Sequence, residues 1–256
     1  MTASSTSSRS PAEPPLAAVI ACGALGGPVR EIARRRGWPL ELHCLPALLH
    51  NRPAQITPIA ERLVRSAQAR GLPVALGYAD CGTYGGLDEL CGRLGVRRLP
   101  GLHCYDLLAG PSRVAALFAA EPGTYLLTDF LVRSFRRSVL ADLGLDRHPE
   151  LWPDYFGHYR RVVWLAQSPE PSLEAEARTV AAMFGLPLTI VPTGTARLEY
   201  ELERLLGEVC AETAVGTTVS ASTSGSQEVA GMNWDADGQY LSAPGMAKEA
   251  GWRAAG

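Results

Sequence analysis

The sequence predicts an α/β fold built on parallel sheet, and three observations predict it. A continuous apolar run rich in β-branched residues stands at 16–21 ("LAAVIA"), and further strands read at 72–79 ("LPVALGYA") and 160–167 ("RRVVWLAQ"). The first lacks a polar alternate face, as strands covered on both sides do. Stretches with apolar residues at helical spacing follow them, so strands alternate with helices. The strand–helix–strand–helix unit recurs about every 60–80 residues, which reads as three pseudo-equivalent layers and not as a short-period solenoid.

The elements follow in order. "LAAVIA" stops at Cys22-Gly23, and "GPVREIARRRGW" (27–38) is a short helix with Pro near its start and Gly37 near its end. "PLELHCLPA" (39–47) alternates apolar and polar residues and reads as a strand. "LLHNRPAQ" (48–55) is a turn, and "ITPIAERLVRSAQARG" (56–71) is a helix. The strand 72–79 ends at Asp80-Cys81-Gly82, and "LDELCGRLG" (87–95) is a helix. "VRRLPGLHCYDLLAG" (96–110) begins extended and ends helical, and 112–120 is helical. Residues 123–144 start as a strand and become a helix with Thr128 or Asp129 as N-cap. The third unit is strand 160–167, helix 172–186 with Ser172 in the capping place, strand 187–194 and helix 195–210.

Both ends differ in composition. "MTASSTSSRSPAEPP" (1–15) is rich in Ser, Thr and Pro and has no apolar core, so it reads as a disordered tail and not a secretory signal. Residues 213–256 carry too little apolar surface to pack alone and read as a mobile tail. Residues 16–212 then form one α/β domain or tightly packed α/β layers.

Charge and hydropathy exclude several function classes. The formal net charge of -2 gives no electrostatic case for nucleic acid. No run of eighteen apolar residues predicts a membrane span. The arginine-rich stretches "REIARRRGW" (30–38) and "FRRSVL" (135–140) read as solvated helix faces. Six cysteines in a long chain without a secretory signal point to reducing cytoplasm, where thiols serve as core filler, metal ligands or nucleophiles.

Three of those cysteines stand out. In parallel α/β sheets, ligands bind beyond the carboxyl ends of the strands. Cys22 and Cys81 end predicted strands, and Cys104 follows a third. Gly23 and Gly82 come directly after the first two, allowing a tight turn that leaves the sulfurs open. "GALGG" (23–27) and "GTYGG" (82–86) also suit the cradling of an anion at a helix start. Cys44, Cys91 and Cys210 read as core or helix-packing residues. With no CxxC pair, Cys22, Cys81 and Cys104 suit an open site assembled by tertiary structure. Zinc with a vacant position and a 4Fe–4S cluster with one free iron both fit three thiolates. His50 is the candidate fourth metal ligand. Asp80, His103 and Tyr125 are candidate acid, base or hydroxyl groups beside the thiols.

Taken together and in order, "ACGAL", "LPALLHNRP", "GYADCGTYGGL", "HCYDLLAG" and "EPGTYLLTDF" resemble the domain-of-unknown-function family sixteen thirty-eight. "WPDYFGHYRRVVWL" and "EARTVAAMFGL" resemble its second half, so the likeness runs over about residues 17–207. Its motifs fall on Cys22, His50, Cys81, Cys104 and the stretch 122–128. One departure touches a site residue: the family pattern His-Asp-Cys is here Leu102-His103-Cys104, which weakens the case for His103. The resemblance implies corrinoid methyltransferase components as candidate partners and supplies no activity. A more distant fold-level analogy is to quinolinate synthase, whose three subdomains each give one cysteine to a cluster.

Three readings of function follow. The first is a cysteine-ligated metalloprotein, an enzyme on a small molecule, with a 4Fe–4S cluster or Zn2+. The second is a non-catalytic partner in a corrinoid methyl-transfer system, with "LWPDYFGHY" as contact surface. The third is a metal-free enzyme with Cys81 as nucleophile at a strand-to-helix turn. A two-fold homodimer is the default oligomer.

Overall fold

The computed structural model describes residues 16–216, 233–234 and 240–242. Its strands are β1 (Ala17–Cys22), β2 (Leu40–Leu45), β3 (Val74–Gly77), β4 (Arg97–Arg98), β5 (Thr124–Thr128), β6 (Arg161–Ala166), β7 (Leu188–Pro192), β8 (Asn233–Trp234) and β9 (Tyr240–Ser242). Its helices are α1 (Gly23–Arg36), α2 (Ile56–Ala69), α3 (Gly86–Leu94), α4 (Cys104–Ala109), α5 (Pro111–Ala120), α6 (Asp129–Phe135), α7 (Ala141–Leu143), α8 (Trp152–Phe156), α9 (Pro171–Phe184) and α10 (Ala196–Gly216).

The alternating pattern folds into two parallel sheets instead of three layers. The first has the order β2-β1-β3-β4, and the second β5-β6-β7. β1 pairs in parallel with both β2 and β3, so the first two strand–helix units merge into one sheet. Every residue of β1 is buried, which is why "AAVIAC" carries no polar position. β6 holds the same central place in the second sheet, flanked by β5 and β7.

Each sheet has its own core. Ile20, Leu76, Ile59, Val64 and Leu90 pack around the first, and Leu202, Leu205 and Val209 of α10 return to the same core. Trp164, Phe135, Phe156 and Ala177 pack around the second. The last long helix therefore crosses back and ties the two halves together. Arg35 and Arg36 of α1 bind Glu199 and Glu203 of α10, and the Arg197 Nε of α10 donates to the Asp106 carbonyl of α4 at 3.0 Å.

Several boundaries differ from the sequence pattern for local reasons. α1 begins at Gly23, directly after Cys22, and Pro28 lies inside it. The expected turn at 48–55 is two short 3-10 helices, Ala47–Asn51 and Pro53–Gln55. α9 starts with Pro171 at its first position and Glu170 before it, so Ser172 is not its cap. Thr128 does cap α6, its side-chain oxygen accepting from the Leu131 N–H at 3.3 Å. The tail 1–15 lies outside the described residues. So does most of 213–256, where α10 continues to Gly216 and β8 and β9 pair antiparallel.

Gly23 fixes how the first sheet turns into its helix. A Cβ at that position would lie 2.6 Å from the Leu45 carbonyl oxygen and 3.0 Å from the Ala47 nitrogen. Both are backbone atoms at the end of β2, so nothing flexible can give way. Gly23→Ala is expected to destabilise the protein by about 2 kcal/mol, read as a lower denaturant midpoint. A midpoint equal to the wild type would show that the turn relaxes freely.

Candidate thiol and imidazole site

The carboxyl ends of β1 and β3 and the start of α4 deliver three thiols to one region. Cys22 is the last residue of β1 and the residue before α1. It is fully buried, and burial pushes its thiol up to about 11. The backbone N–H groups of Ala24 and Leu25 and the Tyr78 hydroxyl pull in the opposite direction, although no formed cap hydrogen bond reaches the sulfur. Cys104 is the first residue of α4. Burial and the charges of Cys22 and Cys81 hold its thiol well above the ordinary range.

Cys81 sits in a loop that runs largely in the left-handed region. Its φ is 52°, Gly82 follows at 80°, and Tyr84 and Gly85 lie at 52° and 88°. A cysteine there carries backbone strain, which the surrounding structure must hold. Asp80 supplies part of that hold. Its carboxylate accepts from the Thr83 hydroxyl at 2.9 Å, the Tyr84 N–H at 3.2 Å and the Gly85 N–H at 2.9 Å. Burial pushes the Asp80 carboxyl up, but these bonds outweigh it, and it titrates below the usual range. The other side is held by the Cys81 N–H, which donates to the Leu102 carbonyl at 2.8 Å.

His50 lies among the thiols. Its Nδ1 stands 2.8 Å from the Ala47 carbonyl oxygen. A carbonyl can only accept, so Nδ1 carries the proton and Nε2 keeps a lone pair. That lone pair faces Cys22 Sγ at 3.8 Å. Burial pushes the imidazole down, yet its hydrogen bond to Cys81, the Cys81 charge and the Ala47 carbonyl together raise it above its usual value. Tyr78 stacks on His50 with ring centroids 6.4 Å apart and planes 17° apart.

Tyr78 went unremarked in the sequence. It is fully buried, and its hydroxyl is a buried polar atom without a hydrogen-bond partner among the described residues. Burial, then the charges of Cys22, Cys81 and Cys44, raise its titration well above the ordinary range. The signal available in the sequence was a lone tyrosine directly after an otherwise apolar strand.

The remaining expected residues fall in different places. His103 is exposed and precedes α4, where its N–H donates to the Asp106 carboxylate at 3.2 Å; this is a helix-capping position. Tyr125 lies in an aromatic cluster with Phe135, Phe156, Tyr159 and Phe184. It also lines a cavity of about 210 Å³ together with His50, Cys104 and Tyr105, so it faces the site from the second sheet. Gly23 answers to the close approach of β2, and Gly82 to its left-handed backbone. Cys44 is fully buried with its sulfur against Gly26, while Cys91 and Cys210 pack at the edge of the first core.

Among the described residues, no three His, Cys, Asp or Glu side chains already stand together as a metal-holding group. What the fold brings together is the Cys22–His50 pair, with Cys81 within electrostatic reach of His50 and Cys104 within electrostatic reach of Cys22 and Cys81. No curated protein and no solved structure matches the chain. A family model described as "Protein of unknown function (DUF1638)" matches residues 44–202, a span that holds His50, Cys81 and Cys104 and starts after Cys22. The chain belongs to that family.

Proposed function

We propose that the chain is a metalloenzyme acting on a small molecule, with one zinc ion held by Cys22, Cys81, Cys104 and His50. The observation that carries this reading is the 3.8 Å spacing of Cys22 Sγ and His50 Nε2. A tetrahedral ion about 2.3 Å from sulfur and about 2.0 Å from nitrogen sets such donors roughly 3.5 Å apart. The imidazole is also prepared as a ligand, since its other nitrogen is tied to a backbone carbonyl. The orphaned Tyr78 hydroxyl supplies a donor for a thiolate or a bound group. Cys81 and Cys104 complete the set by closing from a loop and from a helix start. A compact Cys22–His50 pair suits one ion better than a 4Fe–4S cluster, which would take the three thiols at separate irons and give the imidazole no required place.

When bound, zinc supplies positive charge that ionises a thiol or water and polarises a substrate. The protein's own groups position the reactant. His50 holds its lone pair toward the thiols, and the cavity shared by His50, Cys104 and Tyr125 receives the small molecule.

A second reading keeps the site free of metal and makes Cys81 the nucleophile. It rests on the left-handed Cys81 backbone and on the electrostatic coupling of His50 to Cys81.

Anaerobic purification followed by zinc, iron and sulfide assay separates these readings. The expected result is about one zinc per chain, lost in Cys22→Ser, Cys81→Ser and Cys104→Ser alike. Iron with sulfide would assign the cluster instead. A metal-free wild type in which Cys81 alone reacts rapidly with iodoacetamide would assign the nucleophile.

The thiols also set a pH dependence. Burial holds Cys22 protonated at neutral pH, with its thiol at about 11. An ion must displace that proton and its neighbours, so zinc affinity is expected to rise with pH and binding to release roughly two to three protons. Calorimetry in buffers of different ionisation enthalpy measures this. Tyr78→Phe removes an unpartnered hydroxyl, so it should leave the chelator-treated protein as stable or more stable. In the loaded protein the same variant should release zinc faster.

A further inference from the structure

A second cavity, of about 610 Å³, lies between α1 and α6, where carboxyl ends of both sheets meet. That volume suits a small-molecule site. Its walls carry four arginines (Arg30 and Arg35 from α1, Arg133 and Arg137 from α6 and the π-helical turn after it) and two carboxylates, Glu31 and Asp129.

The carboxylates do not answer the arginines of α6. Glu31 pairs with Arg34 at 2.8 Å. Asp129 is buried and fully engaged: Oδ1 accepts from Trp164 Nε1 at 2.9 Å and the Gln167 N–H at 3.0 Å, and Oδ2 from the Ser168 N–H at 2.8 Å. Arg35 is taken by Glu199. Arg133 and Arg137 are exposed, and no ion pair or hydrogen bond of either is formed among the described residues. They are four residues apart, so two like charges share one helix face, an arrangement that by itself destabilises the helix. Arg30 lines the opposite wall of the same cleft.

This cleft adjoins the thiol site. Ala24 and Phe130 line both it and the smaller cavity that holds His50, Cys104 and Tyr125. We infer that Arg30, Arg133 and Arg137 bind the anionic group, phosphate or carboxylate, of a small-molecule ligand whose other end passes Ala24 and Phe130 toward His50 and Cys104. Guanidinium forks match either anion with paired N–H donors. The anion site stands on the cleft alone; only the destination of the ligand's other end rests on the metal reading.

Titration calorimetry of the full chain with pyrophosphate and with citrate tests it. Saturable binding of at least one anion, weakened by added salt, is expected. Preference for pyrophosphate assigns a phosphorylated ligand, and preference for citrate a carboxylated one. Arg133→Gln should weaken binding at least about tenfold and the Arg133→Gln/Arg137→Gln pair by about a hundredfold, with an unchanged circular dichroism spectrum. Cys22→Ser and Cys104→Ser should keep anion binding even where zinc is lost, which separates failure of the metal reading from failure of this one. No binding of either anion at millimolar concentration, or equal binding by the double arginine variant, overturns the inference.

Discussion

The thiol site depends on the backbone contact between Gly23 and the end of β2. The glycine lets the start of α1 lie against the Leu45 carbonyl and the Ala47 nitrogen. Cys22 is thereby pinned at the last position of β1, and the 3-10 turn Ala47–Asn51 is pinned beside it. His50 belongs to that turn and is oriented by the Ala47 carbonyl, one of its own residues. The Cys22–His50 spacing is therefore a consequence of backbone packing more than of side-chain choice. A side chain at position 23 would push the turn outward and carry the imidazole with it.

The second half of the site is held by a different device. Asp129 gathers the Trp164 indole and the N–H groups of Gln167 and Ser168, while Gln167 Oε1 accepts the Asp129 N–H at 3.0 Å. A buried carboxylate survives only when its oxygens are satisfied in this way. The result locks the end of β5 to the end of β6, so α6 leaves the sheet at a defined angle. Its arginines then face α1 across the large cleft, and Tyr125 and Phe130 close the smaller cavity. Asn51 binds Asp142 across the same boundary. Two separately built cores thus meet at their carboxyl edges, where α/β sheets place ligands.

Much of this was legible in the residues. The apolar run at 16–21 located β1, every residue of which is buried, because a strand covered on both faces leaves no polar alternation to misread. Placing Cys22 at a strand end followed from the same pattern, whereas Cys81, also expected at a strand end, lies in the loop after β3, and the turn expected around His50 is a 3-10 helix. The sheet count was not legible. Periodicity reports each strand's environment but not its neighbours, and β1 takes partners from two units. Tyr78 was missed because burial of one hydroxyl depends on what surrounds it. Asp80 was legible as a residue beside Cys81 but not as the acceptor that shapes its loop. The arginines are the sharpest case. Each run reads alone as a solvated face, and only the fold sets Arg30 opposite Arg133 and Arg137.

Electrostatics joins the two regions. Burial keeps the Cys22 and Cys104 thiols in their neutral form, which makes them poor nucleophiles and poor ligands until positive charge arrives. The immediate surroundings offer little of it. Among the thiols, His50 can itself become a cation, its imidazolium opposed by burial and favoured by Cys81. The full guanidinium charges stand one cavity away, beyond Ala24 and Phe130. Such a division separates recognition from chemistry. In the proposed reading the arginine cleft selects a ligand by its charge, and the thiols become reactive when a cation is delivered into their own pocket. A bound metal ion meets that requirement directly, and a protonated His50 meets it in part. The same burial that makes the cysteines look like core residues is therefore what makes their activation conditional.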